Sequence, residues 1–281
     1  MEIINPFEGK GNWYKGNLHT HTNISDGKYT AEEICELYSK KGYQFIAITD
    51  HNIISKEIQH KNMLVMRGVE LHPEGFHIVG IEVKNGFASE ETTIQKVIDM
   101  LKENSSLVII AHPYWSGKTS SDLLQLNGYT GIEVYNNVCH HLIGKGYSSI
   151  HLDEVLQTGK KIFGFAVDDS HSEEHIGSGF IMVRSSRCDK EDIALSIKKG
   201  HFYSSTGVSI KNISLEDNII SVECDPAEYI DFIGYNSLGK RFSGKDIRYA
   251  EYQIKGNEIY IRIEITDRYG KKAWTNPVVF L

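Results

Sequence analysis

The chain has 281 residues, 40% of them hydrophobic, and a net charge of −7. That length holds one large α/β domain, or a domain of roughly 200 residues with a small module, and the charge argues against an extended surface for a nucleic-acid backbone. No stretch approaches the ~18 consecutive apolar residues of a spanning helix, which excludes a helical membrane protein.

Met1-Glu-Ile-Ile-Asn-Pro-Phe7 lacks the basic-then-apolar pattern of a signal peptide, so a cytoplasmic location is expected. The four cysteines form no CxxC pair and read as free thiols. Residues 16–23 read as a first strand ending in His19-Thr-His21, whose i, i+2 spacing sends both imidazoles from one face. Thr30-Ala-Glu-Glu33 is a capping box for a helix with Ile34, Leu37 and Tyr38 on one side, stopped at Gly42. Residues 45–49 form a continuously apolar strand of the type buried on both faces in a parallel sheet, and it ends in Asp50-His51. The strand at 64–70 ends in Glu70, and another at 76–83 follows a Pro/Gly turn. Ser89 is the expected cap of a helix carrying Ile94, Val97, Ile98 and Leu101 at helical spacing. Strand 107–111 ends in His112-Pro113, and strand 131–135 is followed by Asn136-Asn137. A helix near 147–158 leads to strand 161–167 and then to Asp168-Asp169-Ser170-His171. After a strand at 180–183, Asp189 caps a helix through Ile193 and Ile197 that stops at Gly200.

This strand–helix alternation predicts a parallel α/β sheet closed into a barrel over residues 1–206, with its chemistry at the C-terminal strand ends. From residue 207 the texture changes. No convincing helix follows, and alternating segments at 210–215, 218–224, 229–234, 250–255, 258–266 and 276–281 predict a small β-sandwich.

His19, His21, Asp26, His51, Glu70, His77, His112, Asp169 and His171 all fall at or just after strand ends. They combine imidazole and carboxylate without thiolate, the donor set of hydrolytic zinc, manganese or iron sites. Two i, i+2 pairs plus isolated donors exceed what one ion uses, so two or three divalent ions are expected. Singly, each has an ordinary reading: Asp26 in Ser25-Asp-Gly27 is a turn residue, Glu70 a partner for Arg67, and His77 a polar position on a half-exposed strand. Asp50 is expected to orient the ligand that follows it. Asn136, Lys118 and His201 are candidate substrate contacts, with a plain surface role open for Lys118 and an interdomain role for His201. Glu133, inside a strand, reads as structural, and His140, His141, His151 and His175 fit no ligand spacing.

The series His19-Thr-His21, Ser25-Asp-Gly27, Thr49-Asp-His51, Gly68-Val-Glu70, Ala111-His-Pro113 and Asp169-Ser-His171 resembles the PHP (polymerase and histidinol phosphatase) domain family over nearly all of residues 15–206. The resemblance implies a distorted (β/α)7 barrel, followed here by a small all-β sandwich-like domain at 207–281. It implies a phosphoesterase that hydrolyses a nucleotide or other small phosphomonoester with a metal-bound hydroxide. It also implies a ligand set: His19, His21, Glu70 and Asp169 on a first ion, Glu70 shared with a second held by His77 and His112, and Asp26, His51 and His171 on a third. His72 competes with His77 for its place. The tail, with Ala273-Trp-Thr-Asn-Pro277, resembles a module of a related branch that includes carbamate-hydrolysing enzymes. Carbamate, ester or amide hydrolysis at the same site is therefore the alternative, and a noncatalytic binding scaffold is the third reading.

Overall fold

The computed structural model describes residue 7 and residues 10–84 and 93–280. Strands β1 (Asn12–Asn17), β2 (Phe45–Ile48) and β3 (Leu64–Leu71) lie side by side and parallel. Helix α1 (Ala31–Lys40) connects the first two. It starts as its sequence predicts, with Thr30 and Glu33 capping each other reciprocally, and it buries Ile34, Cys35 and Tyr38. These pack with Ile46, Ile48 and Val65 of β2 and β3. Strand β1 begins at Asn12, earlier than expected, because its first residues pair with a later strand. His19 and His21 therefore lie just beyond its end.

Strand β4 (Ile78–Ile81) runs antiparallel to β3. Only one 3-10 turn, Pro73–Gly75, separates them, too short for the crossover that a parallel pair needs. Helix α2 (Ile94–Asn104) then leads to β5 (Leu107–Ile110), antiparallel to β4. The expected cap at Ser89 lies outside the described residues, and Thr93 holds the N-cap position without a side-chain bond. Helix α3 (Ser120–Leu124), β6 (Gly131–Asn136), α4 (Asn137–Ile143), α5 (Ser149–Leu156) and β7 (Phe163–Val167) complete this part, with β5, β6 and β7 parallel. Within β1 to β7 the all-parallel expectation thus fails around β4, and it fails again at the strand over 180–185, which runs antiparallel to β1. Beyond the strand tips the last strand meets the first again: Thr20 and Ser170 form a parallel bridge, and His21 N donates to Ser170 O at 3.0 Å. One apolar cluster gathers Phe45, Val79, Ile109 and Phe165 from β2, β4, β5 and β7. A second joins α2 and α5 to β4, β5 and β6 through Val97, Leu101, Val155, Ile78, Ile110 and Ile132.

Strand β8 (Phe180–Ser185) pairs antiparallel with β1, matching Asn12 to Ser185, and helix α6 (Lys190–Lys198) follows with the predicted Asp189 cap. The remaining strands are β9 (Phe202–Ser205), β10 (Ile210–Glu216), β11 (Ile219–Gly234), β12 (Gly239–Gln253), β13 (Tyr260–Thr266), β14 (Lys272–Thr275) and β15 (Val278–Val279). Residues after 207 contain strands and no helix among those described, as their pattern predicts. Their sheet is continuous with the first part, in the order β10-β11-β13-β14-β9-β8-β1, through the pairing of Ala273 with Ser205. Two expected strands merge into β11, whose register shifts near Ala227. Strand β12 begins well before the expected residue 250, because most of its early side chains are exposed and show no alternation.

A buried polar network ties the two parts together. The Arg262 guanidinium on β13 donates to both carboxylate oxygens of Asp153 on α5, at 2.6 and 2.7 Å, and to Glu264 at 3.0 Å. Glu264 also accepts from Lys272 at 2.6 Å and from the Trp274 indole at 3.1 Å. No helix among the described residues is long and apolar enough to cross a membrane.

Candidate metal centre

All nine strand-end donors converge at the end of the sheet where β1, β2, β3 and β5 to β7 finish. His19 and His21 stand one residue apart on extended backbone, with Nε2 atoms 3.1 Å from each other. His19 Nε2 lies 3.4 Å from Glu70 Oε2 and 3.3 Å from Asp169 Oδ1. The same carboxylate oxygens lie 3.5 and 3.0 Å from His21 Nε2. Ligand bonds of 2.0–2.1 Å around a tetrahedral ion place ligand atoms about 3.4 Å apart, so each carboxylate oxygen stands at ligand spacing from both imidazole nitrogens. Glu70 Oε2 and Asp169 Oδ1 are buried and have no hydrogen-bond partner. A buried carboxylate oxygen without a donor is costly unless a cation satisfies it. The residues present therefore fit a metal.

The other oxygen of Glu70 faces a second group. Its Oε1 is 2.8 Å from His77 Nδ1 and 3.3 Å from His112 Nε2. A third group centres on Asp26 Oδ2, which lies 3.3 Å from both His51 Nε2 and His171 Nε2, with His21 Nδ1 3.7 Å from Asp26 Oδ1. His72, the competitor for the place of His77, is stacked on that ring at 4.0 Å with its Nε2 3.6 Å from Glu70 Oε2. His77 is the one close to both Glu70 and His112.

Backbone devices aim several of these side chains. His112 and Asp169 both have positive φ, 25° and 53°. L-residues adopt that region at a cost, and such positions concentrate at functional sites. The turn reading of Asp26 also holds: residues 23–26 are a turn, closed by Gly27 N donating to Thr22 O at 2.9 Å. A Cβ on Gly27 would lie 2.5 Å from the His21 carbonyl oxygen, so only glycine lets this turn sit against the segment bearing His21.

Around the donors lies a shell of buried polar groups. Glu133 accepts from His19 Nδ1 at 2.7 Å with one oxygen, and from His112 N and Asn136 Nδ2 with the other, both at 2.8 Å. In the neutral imidazole this contact holds the proton on Nδ1 and leaves Nε2 free toward the cluster. The mid-strand position suggested a purely structural role; what marks Glu133 instead is a carboxylate inside a wholly buried strand beside two ligand-bearing strands. Asn136 is buried, bonds Glu133 and Asp169, and caps α4 through Cys139 N. Its polar atoms are thus engaged in positioning Asp169. Asp50 does not orient His51. Its oxygens accept from Thr22 N at 2.8 Å, Thr22 Oγ1 at 2.7 Å and Ser25 Oγ at 2.8 Å, so it fixes the turn that carries Asp26. Asp168 points away and accepts from the amides of Gly177, Ser178 and Gly179, and burial raises its pKa to about 6.

Two candidates are not brought in. Lys118 Nζ donates to Glu74 O at 2.9 Å and lies over the Phe76 ring. His201 flanks β9 where its carbonyl accepts from Arg184, the residue paired with Trp13 near the start of β1. The antiparallel return of β8 and β9 thus puts it at the opposite end of the sheet from the cluster.

The electrostatics favour ionised carboxylates. Burial alone would raise the Glu70 and Asp169 pKa values, but the surrounding histidines outweigh it and hold both low. Burial likewise opposes a charged His19, yet Asp169, Glu70 and Glu133 raise its pKa well above the ordinary value. For His21 and His77, burial wins and lowers the pKa.

The cluster opens into a cavity of about 370 Å³. Seven of the nine donors line one side; Trp115, Val138, Cys139, Leu142 and His175 line the other. Sequence reasoning passed over this second wall, because a Trp in a loop and a short apolar helix carry no motif.

The fold and this cluster define a metal-dependent hydrolase of mixed α/β architecture. The PHP domain family model matches residues 17–141. The chain is 32% identical over 145 residues to protein MJ1587 of Methanocaldococcus jannaschii, covering 43% of this chain and 81% of that one. It is 31% identical over 132 residues to the DNA polymerase/3'-5' exonuclease PolX of Bacillus subtilis, covering 35% of this chain but only 23% of the polymerase. In structure it is similar over 91% of both chains to a two-domain protein from Bacteroides vulgatus containing a predicted PHP-like metal-dependent phosphoesterase, with TM-score 0.56 and 14% identity. The chain belongs to the PHP domain family. Asp169 and His171 lie beyond the matched residues, and the geometry supplies them.

Proposed function

We propose that the chain hydrolyses a small phosphomonoester with two or three divalent ions, zinc, manganese or iron, held at this cluster. In this reading His19, His21, Glu70 and Asp169 hold one ion, Glu70, His77 and His112 a second, and Asp26, His51 and His171 a third. The carrying observation is the pair of buried, unpartnered oxygens, Glu70 Oε2 and Asp169 Oδ1, ringed by imidazole nitrogens. When bound, the ions supply Lewis acidity toward phosphoryl oxygens and a lowered water pKa. The chain's own part is placement. Glu133 keeps His19 in the ligating tautomer, Asn136 anchors Asp169, and Asp50 secures the turn bearing Asp26. Trp115 and Leu142 line the cavity beside the donors.

The continuous return of the sheet through Thr20 and Ser170 supports reading the first part as a distorted (β/α)7 barrel. Residues 1–206 would then carry the chemistry, and residues 207–281 buttress it through the Asp153–Arg262 pair.

Protein reconstituted with manganese, zinc or iron, assayed on a phosphoester panel with metal content measured in parallel, tests the proposal. Turnover should follow metal loading, and Asp169→Asn should lose both bound metal and turnover. Full activity in metal-free protein refutes it. The cavity walls hold no lysine or arginine among the described residues, which also favours a second reading: hydrolysis of an uncharged carbamate or ester. p-Nitrophenyl phosphate and a naphthyl carbamate assayed side by side distinguish the two.

A further inference from the structure

The wall facing the metal donors has its own chemistry. Trp115 is 40% exposed and Leu142 64% exposed, although both line the cavity. Large apolar side chains left open to solvent at the mouth of a polar site mark a place where a ligand covers them. The Trp115 ring is not loose. Its centroid is 5.6 Å from that of His77 and 5.0 Å from that of His112, with its plane at 71° and 80° to theirs. Val138 and Leu142 extend this surface along α4, and the Cys139 thiol beside them is kept neutral by burial. One polar group interrupts it. His175 Nδ1 accepts from the backbone N–H of His171 at 3.3 Å, so a neutral His175 carries its proton on Nε2 as a single donor.

Charge decides what this wall can take. A second phosphoryl group on the substrate needs cationic side chains, usually arginine or lysine, as partners. Neither residue lines the cavity among those described. Lys118, in the loop that carries Trp115, is engaged with the Glu74 carbonyl.

We propose that Trp115, Val138 and Leu142 form the leaving-group subsite, and that the substrate carries one phosphoryl group on an aromatic alcohol. The inference rests on the phosphoesterase reading for its reaction, but the subsite can be tested without turnover. In manganese-loaded protein, binding of the non-hydrolysable 1-naphthylmethylphosphonate and of propylphosphonate is measured by calorimetry. In parallel, kcat/KM is measured for 1-naphthyl phosphate, glycerol 2-phosphate and fructose 1,6-bisphosphate. The naphthyl phosphonate should bind more tightly than the propyl compound, and Trp115→Ala should remove that preference by roughly 10- to 100-fold, the range of stacking on a single aromatic side chain. Trp115→Phe should restore most of it. The ratio of kcat/KM between naphthyl and glycerol esters should fall by the same factor in Trp115→Ala, a comparison that cancels the intrinsic reactivity of the aryl ester. Leu142→Lys should shift preference toward the bisphosphate. Equal binding of the two phosphonates, an unchanged preference in Trp115→Ala, or bisphosphate as the wild-type's best ester overturns the inference. Absence of turnover with every ester, alongside an intact naphthyl preference in binding, instead refutes the phosphoesterase reading and leaves the aromatic subsite standing.

Discussion

Glu133→Gln isolates the role of one buried carboxylate. In the wild type, Oε1 accepts from His19 Nδ1 at 2.7 Å while Oε2 accepts from His112 N and Asn136 Nδ2, both at 2.8 Å. Three donors thus converge on two acceptor oxygens, and glutamine offers one oxygen and one donor group. If the amide oxygen faces His112 and Asn136, the NH2 faces His19 Nδ1. That nitrogen must then accept, and its proton moves to Nε2, the atom aimed at the metal site. If the amide is turned the other way, its NH2 confronts two buried donors, at a cost of about 1–3 kcal/mol for the group left unsatisfied. Either outcome weakens the first site. Losses on removing such partners of metal-binding histidines run about 10- to 100-fold in affinity, or roughly 1.4 to 2.7 kcal/mol. Competition with a chromophoric chelator measures it directly, and a thermal melt of the metal-free protein separates the folding cost. Unchanged affinity together with an unchanged melt would refute the tautomer argument.

Asp50→Ala should release the turn that carries Asp26 and lower the bound metal by one ion per chain while the first site stays filled. Metal analysis after dialysis reads this, and full occupancy counts against Asp50 as the anchor. Asp153→Ala leaves the Arg262 guanidinium, buried on β13, without its bidentate partner. Breaking one side of a buried pair costs about 3–5 kcal/mol, so denaturant unfolding should show a loss of that order, and a loss under about 1 kcal/mol contradicts the role assigned to the pair. Glu264 predicts an acid sensitivity. Burial raises its pKa, but Arg262 and Lys272 outweigh burial and hold it below the ordinary carboxylate value. Its folded pKa lies below its unfolded one, so its stabilisation is present above about pH 4.5 and is lost as pH falls through the folded value. Glu264→Gln should be less stable at neutral pH and show a shallower loss in acid; parallel stability curves for the two proteins would contradict this.

The donors were legible in the sequence because their chemistry dictates residue type: a hydrolytic zinc, manganese or iron site at strand ends draws its ligands from His, Asp and Glu. Asp26 was readable both as a turn and, by resemblance, as a ligand, and the structure makes it one residue with both geometries. Glu133, Trp115 and His175 were not legible. Each acts through a neighbour or across space, and no local spacing records that. His201 shows the converse error: its placement depends on which way β8 and β9 run, and periodicity does not encode strand direction. The missed start of β12 has the same origin, since a strand exposed along much of its length carries no alternating pattern.

The two halves of the cavity are built differently. The metal side comes from residues at strand tips, held by buried carboxylates and by positive-φ backbone at His112 and Asp169. Displacing one donor there strips partners from the others, since Glu70 alone faces His19, His21, His51, His77 and His112. The opposite wall comes from the loop after β5 and from α4, a seven-residue helix with Leu142 and Ile143 exposed. Trp115, Val138 and Leu142 carry no side-chain hydrogen bond among the described residues, unlike His175, which accepts from His171 N. The chemistry is therefore fixed by a network that tolerates little change, while the surface that meets the leaving group is free to vary. Changes at Trp115 or Leu142 should thus redirect substrate preference without altering metal content, a separation that metal analysis on those variants measures directly.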